Sequence, residues 1–269
     1  MSVQIGERVM QFGMPTLVEL SSLEECCILC KRLGLSFVEL NMNLPMLQLD
    51  TIDRDECNRL AEQYGIFYTI HLDENLNVSD FNPYVAAAYM QTVRKTISLA
   101  KNIHAPIINM HLSKGVYFTL PERKMYLFDV YREQYLHSIR SFRLLCEEKI
   151  GDAPILICIE NCEDYPPFQQ EALEILLDSP VFGLTYDVGH NHSCGGLAEN
   201  YILEHRGSLH HMHLHDAAGK KNHLALGTGE VDLDKHLALA KERNCRVVLE
   251  TKTVEGLTCS AEWIREEWI

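Results

Sequence analysis

Histidines crowd one stretch near the end of the chain, LHHMHLHDAAGKKNHLALGTG. In this stretch an alternating strand leads into a loop that carries a further histidine, His223, and a Gly-x-Gly turn. Neutral imidazole is a common ligand for borderline divalent metals, and the loop would bring His223 back over the strand. The pattern therefore predicts a metal site, and such a site needs ligands from other parts of the chain.

Short apolar strands that end in an imidazole or a carboxylate recur along the chain. Both groups bind divalent cations, so each ending is a candidate ligand position. Their repetition is the strongest functional signal in the sequence and indicates one shared site. The endings are His71 in YTIH, His111 in INMH, Glu160 in ILICIE, Asp187 and the following His190 in GLTYDVGH, His213 in HMH and Glu250 in VVLE.

Strand-like and helix-like segments alternate with no linker or low-complexity run between them. Near-continuous apolar strands between helices predict a parallel sheet covered on both faces, and eight such units predict a single (β/α)₈ TIM barrel over residues 1–269. The expected strands lie in ERVMQFGMP, SFVELNM, IFYTIHL, APIINMHL, PILICIEN, FGLTYDVGH, LHHMHLHD and RVVLETK. The expected helices are one between Ser22 and Gly34, others near 53–64, 83–104, 121–149, 169–177 and 233–242, one after 196, and a terminal helix.

The last four strand endings carry the chemistry. In a barrel of this kind the active site lies at the C-terminal ends of the strands, and alternation makes each ending the last inward-facing side chain. Three carboxylates in a buried mouth repel one another, and a divalent cation is their natural compensation; ordinary salt-bridged strand ends are the alternative. An oxygen-rich set with one histidine suits Mn²⁺, Mg²⁺ or Co²⁺, and Zn²⁺ stays open. The predicted ligands are Glu160, Asp187, His213 and Glu250.

Composition limits the classes of partner. With 46% hydrophobic and 23% charged residues the chain can bury a full core, and a formal net charge of -14 disfavours nucleic acid as a substrate. No apolar run approaches the roughly 18 residues that span a bilayer, and the N-terminus lacks a signal pattern, so we expect a cytoplasmic protein without a membrane segment. The ten cysteines favour reduced thiols, with Cys26, Cys27 and Cys30 on the core face of a helix.

On the motifs ICIEN, YDVGH, HMHLHD, NHLALGTGEVD and VVLET, the chain resembles the xylose isomerase-like TIM-barrel superfamily. This superfamily holds sugar isomerases and epimerases together with AP endonucleases of the endonuclease-four type, and the resemblance runs from FVEL in the second strand to VVLET in the eighth. In the epimerase branch, the resemblance implies that His190 contacts the substrate and that one metal is bound by Glu160, Asp187, His213 and Glu250.

The resemblance also implies a reaction. A metal would hold a carbonyl and the neighbouring hydroxyl of a sugar, sugar phosphate, sugar acid or related polyol, which acidifies the C–H between them and stabilises an enediolate. Glu160 and Glu250 would be the proton-transfer pair. Gly219 stands where tagatose-type epimerases carry an arginine, so tagatose specificity is not implied.

The alternative is a metal-dependent phosphodiesterase of the endonuclease type, which uses three zinc ions. Lys221 stands where that branch has an aspartate ligand, and a cation there disfavours a third metal. Two of the histidines, His71 and His111, are either ligands of a second metal or pocket walls that bind sugar hydroxyls. The further positions that match endonuclease ligands are His71, His111, His190 and His223.

A third class is a non-catalytic metal or sugar sensor, but a sensor has no need to keep both glutamates. The sequence leaves open the substrate, the number and identity of the metals, and whether the chain forms a homo-oligomer. Trp263 and Trp268 are expected to pack the terminal helix on the barrel or on a neighbouring subunit.

Other polar residues receive simpler interpretations. Lys114, Lys220 and Lys252 are expected at the mouth, where a phosphate or carboxylate of the substrate would meet them, Lys114 first among them. We expect Glu39 to brace a loop or contact the substrate, and His211 to be a core histidine or a partner of a ligand. Asp216 is expected to hold the loop or a ligand imidazole. The expected surface histidines are His192, His205, His210 and His236.

Overall fold

Eight parallel strands close into a barrel in the computed structural model, which describes residues 10–268. Each strand pairs with its neighbours in chain order and the first pairs with the eighth, so the predicted (β/α)₈ barrel is confirmed. The barrel strands are β1 (Gln11–Pro15), β2 (Phe37–Asn41), β3 (Phe67–His71), β4 (Ile107–His111), β5 (Leu156–Glu160), β6 (Phe182–Asp187), β7 (Leu209–Leu214) and β8 (Arg246–Leu249).

Helices connect the strands, and capping residues fix their ends. The Ser22 hydroxyl accepts a hydrogen bond from the Glu25 N–H, as the sequence predicts for the first helix. None of the described helices has the length and apolar character needed to cross a bilayer. The helices are α1 (Leu23–Arg32), α2 (Arg54–Tyr64), α3 (Pro83–Asn102), α4 (Leu127–Val130), α5 (Arg132–Ile150), α6 (Pro167–Leu177), α7 (Val188–Ser193), α8 (Glu199–Glu204), α9 (Leu233–Arg243) and α10 (Val254–Trp263), with short 3₁₀ turns at Pro45–Leu47 and Arg206–Ser208 and a π-helical turn at Ile264–Trp268.

The core lies inside the barrel and between the barrel and its helices. Cys26, Cys27 and Cys30 are buried on α1 as free thiols, which confirms the core-face interpretation of the C-x-x-C stretch. Trp263 and Trp268 both pack against this core from the C-terminal end of the chain. The two tryptophans therefore tie the terminal helix to the barrel itself.

The long helix expected over residues 121–149 is wrong in its first part. Tyr117–Thr119 pairs antiparallel with Lys124–Tyr126, and we call this pair the β4 hairpin. Pro121 lies in its turn, and the rings of Tyr117 and Tyr126 meet across the strands at 5.6 Å. Aromatic residues on facing strands favour the hairpin over a helix. Helical structure begins only at Leu127.

The loop after β7 is also more regular than the sequence suggests. Asp216–Ala218 pairs antiparallel with Lys221–Leu224, and we call this pair the β7 hairpin. Gly219, with a φ of 54°, makes its turn. The carboxylate of Asp216 accepts hydrogen bonds from the backbone N–H groups of Gly229 and Val231. Asp216 thus holds this loop, which is one of the two roles expected of it.

His236 is not the surface residue that its position on a polar helix suggests. It lies on the buried face of α9, only 7% exposed, with its ring against that of Tyr186 at 5.4 Å. Its Nδ1 has no hydrogen-bond partner among residues 10–268. Burial lowers the pKa of His236 to about 4. The other three predicted surface histidines, His192, His205 and His210, are half-buried.

The buried His236 makes folding stability depend on pH. Its pKa in the folded protein lies below the ordinary value of 6.5, so the unfolded chain binds the extra proton between about pH 6.5 and pH 4. The contribution of His236 to the free energy of unfolding is complete above pH 6.5 and falls by up to about 3 kcal/mol as the pH drops toward 4.

We expect His236→Leu to remove this part of the pH dependence of the free energy of unfolding. Urea unfolding measured between pH 4 and pH 6.5 checks the prediction.

The control for this measurement is His137→Leu, which replaces an exposed histidine on α5. It should keep the pH dependence of the wild-type protein. Equal slopes for His236→Leu and the wild type would contradict the prediction.

Candidate metal centre

The four predicted ligands lie together at the C-terminal ends of β5, β6, β7 and the residue after β8. One nitrogen or oxygen atom of each lies within 4.8 Å of the others. His213 Nδ1 is 3.0 Å from Glu250 Oε2 and 3.4 Å from Glu160 Oε1. Asp187 completes the group and is fully buried. The barrel therefore brings one imidazole and three carboxylates around a single point.

The state of the polar atoms tests whether a cation fits this point. Asp187 Oδ2, Glu250 Oε2 and both ring nitrogens of His213 are buried with no aligned hydrogen-bond partner in the described part of the chain. The 3.0 Å contact between His213 and Glu250 is close but not aligned as a hydrogen bond. Unpaired buried polar atoms are costly, and a divalent cation among them would satisfy several at once. The residues present fit such an ion.

Glu39 lies directly beneath the centre, in contact with both His213 and His211. Glu39 Oε1 is 2.8 Å from His213 Nε2, and Oε2 is 2.9 Å from His211 Nε2 and accepts a hydrogen bond from Thr69 Oγ1 at 2.9 Å. With Nε2 facing Glu39, the Nδ1 atom of His213 faces Glu160 and Glu250. Glu39 therefore braces two imidazoles rather than a loop, and His211 packs as a partner of this carboxylate.

Burial and charge oppose each other at these groups. Burial alone would raise the pKa of Glu160, but His213 and His111 outweigh it and hold this pKa well below its usual range. The same opposition, with His213 and His223 as partners, holds the pKa of Glu250 well below its usual range. Burial would lower the pKa of His213, and the carboxylates around it raise it instead. These shifts keep Glu160 and Glu250 in their ionised forms and place the compensating positive charge on the imidazoles around them.

Two further histidines meet Glu160 from β3 and β4. His71 Nε2 and His111 Nε2 lie 3.3 and 3.4 Å from Glu160 Oε2. His71 Nδ1 donates to the Leu72 carbonyl at 2.7 Å, so its Nε2 meets the carboxylate either as a protonated ring or through a shared cation. Burial lowers the pKa of His71, but Glu160 raises it to about 9. Asn109, which the sequence interpretation missed, also donates to Glu160 Oε2 from the inward face of β4.

A second group of imidazoles lies beside Asp187. Ring nitrogens of His190, His215 and His223 lie within 4.8 Å of one another. The backbone N–H of His190 donates to Asp187 Oδ1 at 2.7 Å, and the ring Nδ1 of His190 lies 2.9 Å from Asp187 Oδ2. His223 Nε2 lies 3.6 Å from Glu250 Oε1. The sequence analysis gave His190 and His223 roles at the site but gave none to His215, which is fully buried there.

Two of the three lysines expected at the mouth are paired with carboxylates, and the third, Lys220, is exposed in the turn of the β7 hairpin. Lys114 Nζ lies 2.7 Å from Glu163 and 2.5 Å from Asp164, on the wall of a cavity of about 260 Å³ that also includes His111 and Glu160. Lys252 Nζ lies 2.8 Å from Glu250 Oε1. The positive charge of each of these two paired lysines is therefore already compensated. Lys221 is exposed on the β7 hairpin and supplies no anionic ligand.

Comparisons with known proteins agree with this architecture. An uncharacterized protein of Methanocaldococcus jannaschii is 26% identical over 221 residues, which are 77% of this chain and 72% of that protein. A solved D-tagatose 3-epimerase-like protein superposes with a TM-score of 0.76 at 23% identity, covering 96% of each chain. The E. coli 3-keto-D-glucoside 4-epimerase in its apo form superposes with a TM-score of 0.75 at 14% identity, covering 96% of this chain and 99% of that one.

A third structural neighbour was solved with a metal. The IOLI protein with a bound zinc atom gives a TM-score of 0.71 at 15% identity, covering 94% of this chain and 96% of that one. At these identities the three solved structures establish a common fold. The model of the family described as xylose isomerase-like TIM barrel matches residues 27–267, and the resemblance found in the motifs is thereby confirmed. The chain belongs to the xylose isomerase-like TIM-barrel family.

Proposed function

We propose that this protein is a divalent-metal-dependent isomerase or epimerase that acts on a sugar or a related polyol. The observation that carries the proposal is the convergence of Glu160, Asp187, His213 and Glu250 within 4.8 Å. The structural neighbours, a D-tagatose 3-epimerase-like protein and a 3-keto-D-glucoside 4-epimerase, support the class of substrate. Mn²⁺, Mg²⁺, Co²⁺ and Zn²⁺ are the candidate cations, and the zinc-containing neighbour supports a divalent ion.

The four converging residues would hold the cation. When bound, the cation would supply Lewis-acid polarisation of a substrate carbonyl and the adjacent hydroxyl, which acidifies the C–H bond between them. Glu39 would favour the tautomer of His213 that carries its hydrogen on Nε2, which leaves Nδ1 free to bind the cation. His190, which is partly exposed and paired with Asp187, would orient a substrate oxygen.

Glu160 and Glu250 would move the proton. Glu160 ends β5 and Glu250 follows β8, so the two glutamates flank the strands that carry Asp187 and His213. A substrate between them would present one face to each carboxylate, which is the arrangement that removal of a proton from one face and return to the other requires. The neighbouring histidines hold the pKa of both carboxylates well below the usual range, so both would be ionised and either could accept the proton first.

The charges at the mouth favour an uncharged substrate over a sugar phosphate or sugar acid. Lys114 is shared between two carboxylates, Glu163 and Asp164, and Lys252 is held by Glu250. An anionic substrate would have to displace a carboxylate from a lysine, and the protein as a whole carries a charge of -14. Lys114 would then position the acidic wall of the cavity rather than bind a phosphate.

The second candidate is a metal-dependent phosphodiesterase. One observation favours it, because His71 and His111 converge on Glu160 as a second set of ligands would. The exposed position of Lys221 and the net charge weigh against it. Cleavage of a duplex with an abasic site, measured beside sugar turnover and metal content, separates the two functions.

Removal of either proton-transfer group should abolish turnover. We expect Glu160→Gln and Glu250→Gln each to lower kcat/KM by at least about 10²-fold, because a neutral amide cannot accept the proton. Turnover is measured on a panel of ketoses, aldoses and their phosphates with added Mn²⁺ or Co²⁺. Glu62→Gln, on the exposed face of α2, is the control and should keep full activity. Near-normal activity in both site variants, with an intact fold, would reject the assignment.

Removal of the cation should weaken the fold as well as the activity. Three ionised carboxylates lie within a few ångströms at the mouth, and a bound ion stabilises only the folded state. We expect a chelator to lower Tm and turnover together, and readdition of one of the four candidate cations to restore both. An unchanged Tm and unchanged activity after complete removal of metal, verified by elemental analysis, would exclude a functional ion.

A further inference from the structure

His215 lies one residue beyond β7, fully buried between the candidate metal centre and the β7 hairpin. Its ring stacks on that of His223 with centroids 4.2 Å apart and planes 8° apart. One of its ring nitrogens lies within 4.8 Å of ring nitrogens of His190 and His223, as a third imidazole ligand of a second ion would. The hydrogen bonds of the ring decide whether it can be one.

The backbone fixes the tautomer of His215. The N–H of His223 donates to His215 Nδ1 at 2.8 Å. A backbone N–H can only donate, so Nδ1 is an acceptor and carries no hydrogen. A more distant contact of Nδ1 with the Asp216 carbonyl, at 3.4 Å, does not compete with this bond. His215 is therefore the neutral ring with its hydrogen on Nε2.

The protonated nitrogen of His215 faces a predicted metal ligand. His215 Nε2 lies 3.1 Å from Asp187 Oδ1, which also accepts a hydrogen bond from the His190 N–H. This ring contact is close but not aligned as a hydrogen bond, whereas the bond from the backbone N–H of His190 is aligned. Both groups place a positive partial charge near Oδ1. The other oxygen, Oδ2, is the one left without an aligned donor within residues 10–268.

A nitrogen that carries a hydrogen cannot bind a cation. For Nε2 to become a ligand it would have to lose that hydrogen while Nδ1 still accepts the His223 N–H, which would leave the ring as an anion. His215 is thus excluded as a ligand in this arrangement, and the imidazole group beside Asp187 contains only two candidate ligands, His190 and His223.

The surrounding backbone is shaped to keep the ring in place. A Cβ atom added to Gly189 would lie 2.0 Å from the ring of His215, so the glycine of the YDVGH motif makes room for it. His223 has a φ of 56°, a left-handed conformation that is uncommon for a residue other than glycine, and the bond to His215 is one of the contacts that hold it.

We infer that His215 is a positioning residue, which uses its Nε2–H to fix Asp187 for the cation while the β7 hairpin fixes its own tautomer. This inference rests on the proposed metal centre. Partners that orient a ligand typically change metal affinity by about 10- to 100-fold when they are lost. His215 would therefore act on the ion without touching it.

Two amide variants separate the hydrogen bond at Nδ1 from the contact of Nε2 with Asp187. The side-chain amide of glutamine reaches the place of Nε2 and can still donate to Asp187, whereas that of asparagine reaches only the place of Nδ1. We expect His215→Asn to lower the affinity for Mn²⁺ about 10- to 100-fold in titration calorimetry, and His215→Gln to keep it within a few-fold of the wild type. His137→Gln, on the exposed face of α5, is the control and should bind as the wild type does.

Each outcome of the titration has a defined meaning. Wild-type affinity in His215→Asn would overturn the positioning role, and loss of one bound ion per chain in both variants would show that His215 is a ligand. Absence of Mn²⁺, Mg²⁺, Co²⁺ and Zn²⁺ binding by the wild-type protein would instead overturn the proposed metal centre, and the inference with it.

A measurement on the wild-type protein does not depend on whether the variants fold. Long-range correlations between ring protons and ring nitrogens in ¹⁵N-labelled protein distinguish the two neutral tautomers of histidine and the doubly protonated ring. We expect His215 to give the pattern of a ring with its hydrogen on Nε2. A hydrogen on Nδ1, alone or on both nitrogens, would overturn the inference.

Discussion

Repulsion among three buried carboxylates is the constraint on which the rest of this structure depends. Glu160, Asp187 and Glu250 converge on one point at the mouth of the barrel, where water screens their charges poorly. Imidazoles from six positions approach these acids, and every one of them contacts a carboxylate or another imidazole. The imidazoles therefore offset part of the negative charge of the three acids, and a bound cation would offset the rest.

The barrel makes this balance possible because its strands are in register. Asp187 pairs with His213 and Glu160 with Thr185 across neighbouring strands, so the paired side chains project together into the interior of the barrel. Below the mouth, polar residues continue inward, with Thr185 donating to Asn109 and Thr69 donating to Glu39. A second polar layer therefore supports the first.

Local patterns in the sequence predicted the barrel and the meeting of its strand endings, because alternation and strand length are properties of adjacent residues. Contacts between distant strands were harder to predict. The pairing of Glu39 with His213 joins residues 174 positions apart and depends on the closing register of the barrel. The burial of His236 depends on how α9 packs against Tyr186. The β4 hairpin depends on the pairing of Tyr117 with Tyr126, which the prediction of a helix from residue 121 did not take into account. The sequence contained these residues but not the geometry that gives them their roles.

The contact between Gly189 and His215 has a consequence for how this family can diverge. The two positions share one volume, since any side chain at 189 occupies the space of the imidazole ring. A lineage that gains even a methyl group at 189 must also shrink or move residue 215, and a lineage that loses the imidazole is free to fill the glycine position. Substitutions at positions 189 and 215 should therefore occur together. Glycine at 189 with histidine at 215 would mark the relatives in which an imidazole contacts the aspartate at position 187.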